Sequence, residues 1–194
     1  YKNWDKAKEY VVSIDDPTER AKSWEMLMAG RLKEFNKMEE KGVMESVLCT
    51  DIPIEHRQNK WVLRSLRQHH QKGDEDNNVS EWKARWCIDG STAVQGIHFD
   101  QTSSPTPRPE AIRAVVAEAA MQLQPGDTDA ALRQGDIPSA YTHWDQPAEH
   151  DVYFRAPHGE APYAMTEVGG VKKRTEIAFK LKKALCGMPS AGHI

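Results

Sequence analysis

The chain has 194 residues, 39% of them hydrophobic and 28% charged, with a formal net charge of -3. That length suits one domain or two small ones with a packed core, and the charge argues against a wholly basic nucleic-acid binder while leaving local basic patches open. Cys49, Cys87 and Cys186 form no CxxC pair, which argues against a zinc ribbon or a disulfide framework and fits a reducing compartment; no apolar run approaches a membrane span and there is no N-terminal signal sequence.

The chain begins without Met and ends at Ile194 without terminal punctuation, so it reads as a piece of something longer. Asp16-Pro17-Thr18-Glu19 predicts a helix start, with Asp16 as cap, Pro17 in the first helical position and Glu19 at the capping-box position. Trp24, Leu27, Met28, Leu32, Phe35 and Met38 then recur at helical spacing as one core-facing stripe, which Gly42 ends. Val43–Leu48, Lys60–Leu66 and Glu81–Ile88 read as strands. The last two are joined by the polar, turn-rich run from Gln71 to Asn78, the pattern of an antiparallel hairpin. Lys60, Arg64, Lys83 and Arg85 put cations on both of its strands, enough to curl over a polyphosphate.

Basic residues cluster twice: Arg57, Lys60, Arg64, Arg67 and Lys72, then Lys172, Lys173, Arg174, Lys180, Lys182 and Lys183. Such runs suit phosphate contacts and equally suit solvated faces. The proline-rich segment from Ser103 to Pro109 predicts an extended connection, and Pro109 opens a second helix, Glu110–Gln124, apolar around much of its circumference and expected to be well buried. Leu132–Tyr141 follows, a strand-like run that delivers one carboxylate, Asp136, and then turns. An anion fixed at a sheet edge is how hard divalent cations are held for phosphoryl chemistry, although Asp before a turn is commonplace. Val152-Tyr153-Phe154 is a short strand ending at Pro157, and Gly169-Gly170 marks a turn before Thr175–Leu181. Helices and antiparallel strands mix without βαβ regularity, so the class is α+β.

Eight blocks occur in order: Trp24 with its helix, Lys60-Trp61-Val62, Lys83-Ala84-Arg85, Gly96 to Pro105, Ile112-Arg113, Gly135 to Tyr141, Val152-Tyr153 and Leu181 to Met188. Together they resemble the reverse transcriptase domain of copia-type (Pseudoviridae) long-terminal-repeat retrotransposons, over residues 20 to 194. The resemblance implies a right-hand polymerase: an N-terminal extension at 1–19, fingers at 20–104, a first palm segment at 105–144, a second fingers segment at 145–182 and the start of a second palm segment at 183–194. It implies nucleotidyl transfer by two magnesium ions (Mg2+), with an RNA template, a DNA primer, deoxynucleoside triphosphates and the remaining Pol domains (rest of palm, thumb, ribonuclease H, integrase) as partners. It also implies a cytoplasmic, particle-associated location, with the nucleus as the other compartment, and no membrane.

By the same resemblance Asp136 matches the first catalytic carboxylate and metal ligand, with the Ile137 carbonyl as a further oxygen ligand. Tyr141 stands at the family's Phe position, where an aromatic under the sugar excludes a 2′-hydroxyl. Arg85 would grip the triphosphate with its planar fork. Arg64 lies near the family's fingertip lysine, and also suits an exposed strand cation. Gly187 would let the backbone approach the template–nucleotide base pair.

The sequence departs from the family's pattern in several places. The paired aspartates of its second metal-binding element are missing: Asp15-Asp16 is the one adjacent pair and precedes a helix at the wrong end. One carboxylate does not hold two metals, so the chain alone is expected to bind magnesium weakly at most and not to polymerise DNA. Trp86 replaces a Leu, Asp89 a Lys, Trp144 a Gly, Cys186 a Tyr, Pro189 a Lys, Gly192 a Pro and His193 an Arg. A non-catalytic nucleic-acid-binding remnant of a decayed element is therefore the second expectation, and a chance-matched α+β domain the third. No phosphate-cradling GxxxxGK[ST], GxGxxG or HExxH occurs.

Overall fold

The computed structural model describes residues 4–73, 79–102, 107–122, 135, 137, 139–147, 149–157, 162–168 and 171–191. It is a mixed α+β structure with helices α1 (Trp4–Val12), α2 (Pro17–Glu40), α3 (Ile54–Gln58) and α4 (Pro109–Gln122), and strands β1 (Met44–Leu48), β2 (Arg64–Gly73), β3 (Val79–Asp89), β4 (Tyr153–Arg155), β5 (Tyr163–Val168) and β6 (Val171–Leu181).

Helix α2 starts as its sequence dictates. The Asp16 carboxylate accepts the backbone N–H of Thr18 at 2.7 Å, and Gly42, at φ +59°, turns the chain away after the last turn. Its contact face is not the whole expected stripe. Leu27 and Met38 are buried and Trp24 and Phe35 partly so, but Met28 and Leu32 are 43% and 60% exposed. The line that meets β3 runs through Ser23, Leu27, Gly30, Glu34 and Met38, in steps of three and four residues. Gly30 marks the closest approach: a Cβ there would lie 2.1 Å from the Trp82 carbonyl oxygen.

Two sheets result. In one, β2 and β3 form the expected antiparallel hairpin, in register from Arg64 opposite Asp89 to Lys72 opposite Glu81. In the other, β6 is the spine. Its second half pairs with β1 on one side and β4 on the other, and its first half pairs with β5. A bridge at Leu63 ties the sheets together: its N–H donates to Tyr153 O at 2.8 Å and its carbonyl accepts from Arg155 N at 2.9 Å. Val43, Leu63, Trp86, Ile88, Phe154, Phe179, Leu181 and Leu185 fill the core between the two sheets and the start of α2's last turn.

Trp86 is the centre of that core. Its ring stacks on Phe35 (6.1 Å between centroids) and meets Phe154 and Phe179 edge-on, while the indole N–H donates to Ser65 Oγ at 2.8 Å. Ser65 in turn donates to the Arg155 carbonyl at 2.6 Å. The Arg67 guanidinium lies 5.0 Å over the same ring.

Two expectations are corrected. Lys60 is not on a strand: it sits in a turn at φ 60° behind α3, and β2 begins at Arg64. Helix α4 is not well buried; Ile112, Val115, Val116 and Met121 are 55%, 59%, 46% and 71% exposed. Apolar residues all round a helix bury only what a neighbour covers, and no described element covers this one. Most of the strand-like run expected over Leu132–Tyr141, residues 132–134, 136 and 138, lies outside the described residues, and a 3-10 turn, Ala140–His143, is found at its end.

Two measurements follow. Trp86→Ala removes the central ring and leaves Ser65 without its indole donor, so urea unfolding should show a loss of about 3–5 kcal/mol. His69 is fully buried on β2. Burial, reinforced by Arg31 and Arg67, pulls its imidazole from the ordinary 6.5 down to about 4. Between those values the unfolded chain binds a proton that the folded chain refuses. Stability is therefore full above pH 6.5 and falls as pH drops toward 4, by up to ~1.4 kcal/mol per pH unit. His69→Leu should flatten that slope in urea titrations across the same window.

Candidate nucleotide cleft

Alternation along β3 turns Lys83, Arg85 and Cys87 to one face and Trp82, Ala84, Trp86 and Ile88 to the other. The second set is buried, whereas Lys83 and Arg85 are exposed. Among the described residues β3 pairs with β2 alone, and its other edge needs other partners. Glu34 of α2 accepts the Trp86 N–H at 3.2 Å, and the Cys186 carbonyl accepts the Ile88 N–H at 2.8 Å. These two bonds fix α2 and the loop after β6 at either end of a short stretch of edge, and an open cleft of ≈460 Å³ lies beside it.

The cleft gathers four segments: Glu34 and Lys37 from α2, Lys83 and Arg85 from β3, Ile137 with the 139–142 turn, and Leu185-Cys186. The turn is held from beneath. Thr142 is buried, its N–H and hydroxyl both donate to the Ser139 carbonyl at 2.9 Å, and Lys41 Nζ reaches its Oγ1 at 3.4 Å. Ser139 takes up a left-handed conformation, φ 58° and ψ 41°, to make the corner. With Thr142 anchored inward, Tyr141 is left 43% exposed at the cleft. Among the described residues of the lining, Lys37, Lys83 and Arg85 outweigh the one carboxylate, Glu34, which makes this part of the cleft attractive to anions.

The structure thus brings Arg85, Ile137 and Tyr141 into one cleft. Asp136 lies outside the described residues; its neighbours Gly135 and Ile137 are both exposed. Arg64 stands elsewhere, opposite Asp89 in the hairpin register and ion-paired with it at 3.2 Å. The Ser91 hydroxyl and that guanidinium hold the Asp89 carboxyl below its usual range. Gly187 is adjacent to the lining residue Cys186, and its lack of a side chain has an internal cause. It sits at φ +94°, and a Cβ would come 2.0 Å from the Ile88 carbonyl oxygen.

Among the described residues no three His, Cys, Asp or Glu side chains gather where a metal ion could be held. Glu34 is already engaged with Trp86, and magnesium demands several hard oxygen ligands. The described part of the cleft does not fit the ion by itself, and no chemical step is assigned to it.

Lys37 and Cys186 were not singled out as site residues from sequence. A signal for Lys37 was present: Gly30 inside a long helix marks a close approach, and Glu34 and Lys37 follow it at helical spacing. Cys186 had no such signal, because its position depends on a loop folding back across β3. His98, within the Gly96 to Pro105 block, proves to be a staple. Its Nδ1 accepts the Val94 N–H at 2.9 Å and its Nε2 donates to the Trp61 carbonyl at 2.8 Å.

The family model described as reverse transcriptase (RNA-dependent DNA polymerase) matches residues 49–194. This chain belongs to the reverse transcriptase family. It is also similar to the Retrovirus-related Pol polyprotein from transposon TNT 1-94 of Nicotiana tabacum, 28% identical over 167 residues that cover 85% of this chain and 11% of that protein. The chain therefore spans about a tenth of that relative's length. No solved structure matches it. The matched residues include Arg85, Tyr141, Cys186 and the segment around Asp136, so the reverse transcriptase match takes in the cleft apart from its α2 wall of Glu34, Lys37 and Met38.

Gly187→Ala tests the loop that closes the cleft. Left-handed strain and the clash with Ile88 act together, so the variant should lose about 2–4 kcal/mol in denaturant unfolding. Protection of the Ile88 amide against hydrogen exchange should fall with it.

Proposed function

We propose that this chain is the fingers and the first part of the palm of an RNA-directed DNA polymerase from a copia-type retrotransposon Pol polyprotein, and that the cleft receives the incoming deoxynucleoside triphosphate. The observation that carries the reading is the convergence of Arg85, Ile137 and Tyr141, from segments more than fifty residues apart, around one cationic cleft. Arg85 offers a planar, always-charged fork for phosphate oxygens, and Lys83 and Lys37 add point charges beside it. Tyr141, next to buried Thr142, lies exposed in the cleft, where its ring would collide with a ribose 2′-hydroxyl. The partners on this reading are an RNA template, a DNA primer and the remaining Pol domains, and the setting is a cytoplasmic particle.

In the intact family, two magnesium ions stabilise the attacking and leaving oxygens of nucleotidyl transfer. On this reading Asp136 and the Ile137 carbonyl are the chain's contribution to holding them, and the missing aspartate pair has to come from elsewhere. The alternative, a piece that only binds nucleic acid, is favoured by the exposed Lys172, Lys173 and Arg174 on β6.

Binding of a fluorescent deoxynucleoside triphosphate in the presence of an RNA–DNA hybrid discriminates the two. Arg85→Ala should weaken it about tenfold, equivalent to ~1.4 kcal/mol, while Arg64→Ala leaves it unchanged. Primer extension by the purified chain should be undetectable. Equal nucleotide binding by the wild type and Arg85→Ala, with salt-dependent hybrid binding intact, would select the binding-only alternative.

A further inference from the structure

The cleft wall carries two thiols that nucleotide binding does not use. Cys87 shares the β3 face of Lys83 and Arg85 but is 4% exposed, because the loop after β6 lies over it. Cys186 is the residue that covers it. Its carbonyl is fixed on Ile88 N, next in the chain to Cys87, and its side chain is exposed and lines the cleft. The loop has no freedom to drift out of this register. A Cβ on Gly187 would strike Ile88, and one on Gly90 would lie 2.2 Å from the Gly187 carbonyl oxygen, so both crossings run backbone to backbone.

We propose that Cys186 and Cys87 form a peroxide-responsive thiol pair in the cleft wall, with Cys186 as the site of modification and Cys87 as its resolving partner. The Cys186 thiolate attacks one oxygen of hydrogen peroxide. The S–O bond forms, the O–O bond breaks, and the departing hydroxide takes up a proton to leave as water. The Cys87 sulfur then attacks the Cys186 sulfenic acid: the S–S bond forms, the S–O bond breaks, and the hydroxyl leaves as a second water with the proton Cys87 gives up. Two thiols are oxidised by two electrons in all, and one peroxide is reduced to two waters.

The electrostatics divide the roles in the same way. The neighbouring Cys87 thiol, with help from the Arg85 guanidinium, pulls the Cys186 thiol below its ordinary value, toward the thiolate. The same pairing and burial push Cys87 up, which favours its protonated form until the partner is oxidised. Cys49, half-buried and pushed up by desolvation and Glu176, is an internal control in the same chain.

The test treats the full chain with stoichiometric hydrogen peroxide and maps its cysteines by mass spectrometry, without nucleotide, so its outcome is independent of the polymerase reading. The wild type should stay monomeric, lose two hydrogens and yield a peptide linked Cys87 to Cys186, with Cys49 still alkylatable. Before oxidation, iodoacetamide should label Cys186 about tenfold faster than Cys49. Cys87→Ser should accumulate a dimedone-trapped sulfenic acid on Cys186, and Cys186→Ser should leave Cys87 reduced. Oxidation of Cys49 at the same rate, disulfide-linked dimers as the main product, or no Cys87–Cys186 linkage would each overturn the proposal. The wild-type map needs no variant, so a folding defect in either serine substitution leaves the test decisive.

Discussion

One indole holds the two sheets and the long helix in register. Trp86 can be buried only because its N–H reaches Ser65, whose hydroxyl is itself pinned to the Arg155 carbonyl, so a single polar chain runs from β3 through β2 to β4 inside an aromatic cluster. Phe35 brings in α2, and Phe154 and Phe179 bring in the other sheet. A Leu at this position would fill part of the volume and supply none of the polar links.

The cleft is a by-product of that junction. Placing the β3 core face against Phe154 and Phe179 turns Lys83 and Arg85 outward. The unpaired edge of β3 then has to find acceptors, and it finds Glu34 on one side and the Cys186 carbonyl on the other. Those two acceptors fix α2 and the loop after β6 beside the cleft. Its cationic character comes from strand alternation and its walls from edge satisfaction, so the site is built by tertiary structure that no single motif encodes.

How much could be read beforehand differs by element for physical reasons. The start of α2 was legible because Asp16, Pro17 and Glu19 act through local hydrogen bonds, and the hairpin because alternation and a polar turn are local too. The inward side of α2 was only partly legible. Six apolar residues suggested one stripe, yet contact follows Gly30, and Leu32 falls outside it. The α3 turn and the left-handed Lys60 were missed because a five-residue helix carries too little periodicity to register. Burial of α4 was overcalled, since composition shows capacity for burial and not the presence of a neighbour. Arg85 and Tyr141 were named through the order of the blocks. Lys37 and Cys186 join them only once the chain has folded back on itself.

The spine strand also sets the order in which the molecule can complete itself. Among the described residues Met44 to Leu48 find their strand partner in Ile177 to Leu181, whereas α1, α2 and the β2–β3 ribbon can assemble as soon as they are made. On the ribosome the first strand of the main sheet therefore waits, on the order of ten seconds at ordinary elongation speeds, with its apolar side uncovered. Nascent-chain chaperones would meet this protein chiefly in that interval, and rare codons between the two strands would lengthen it.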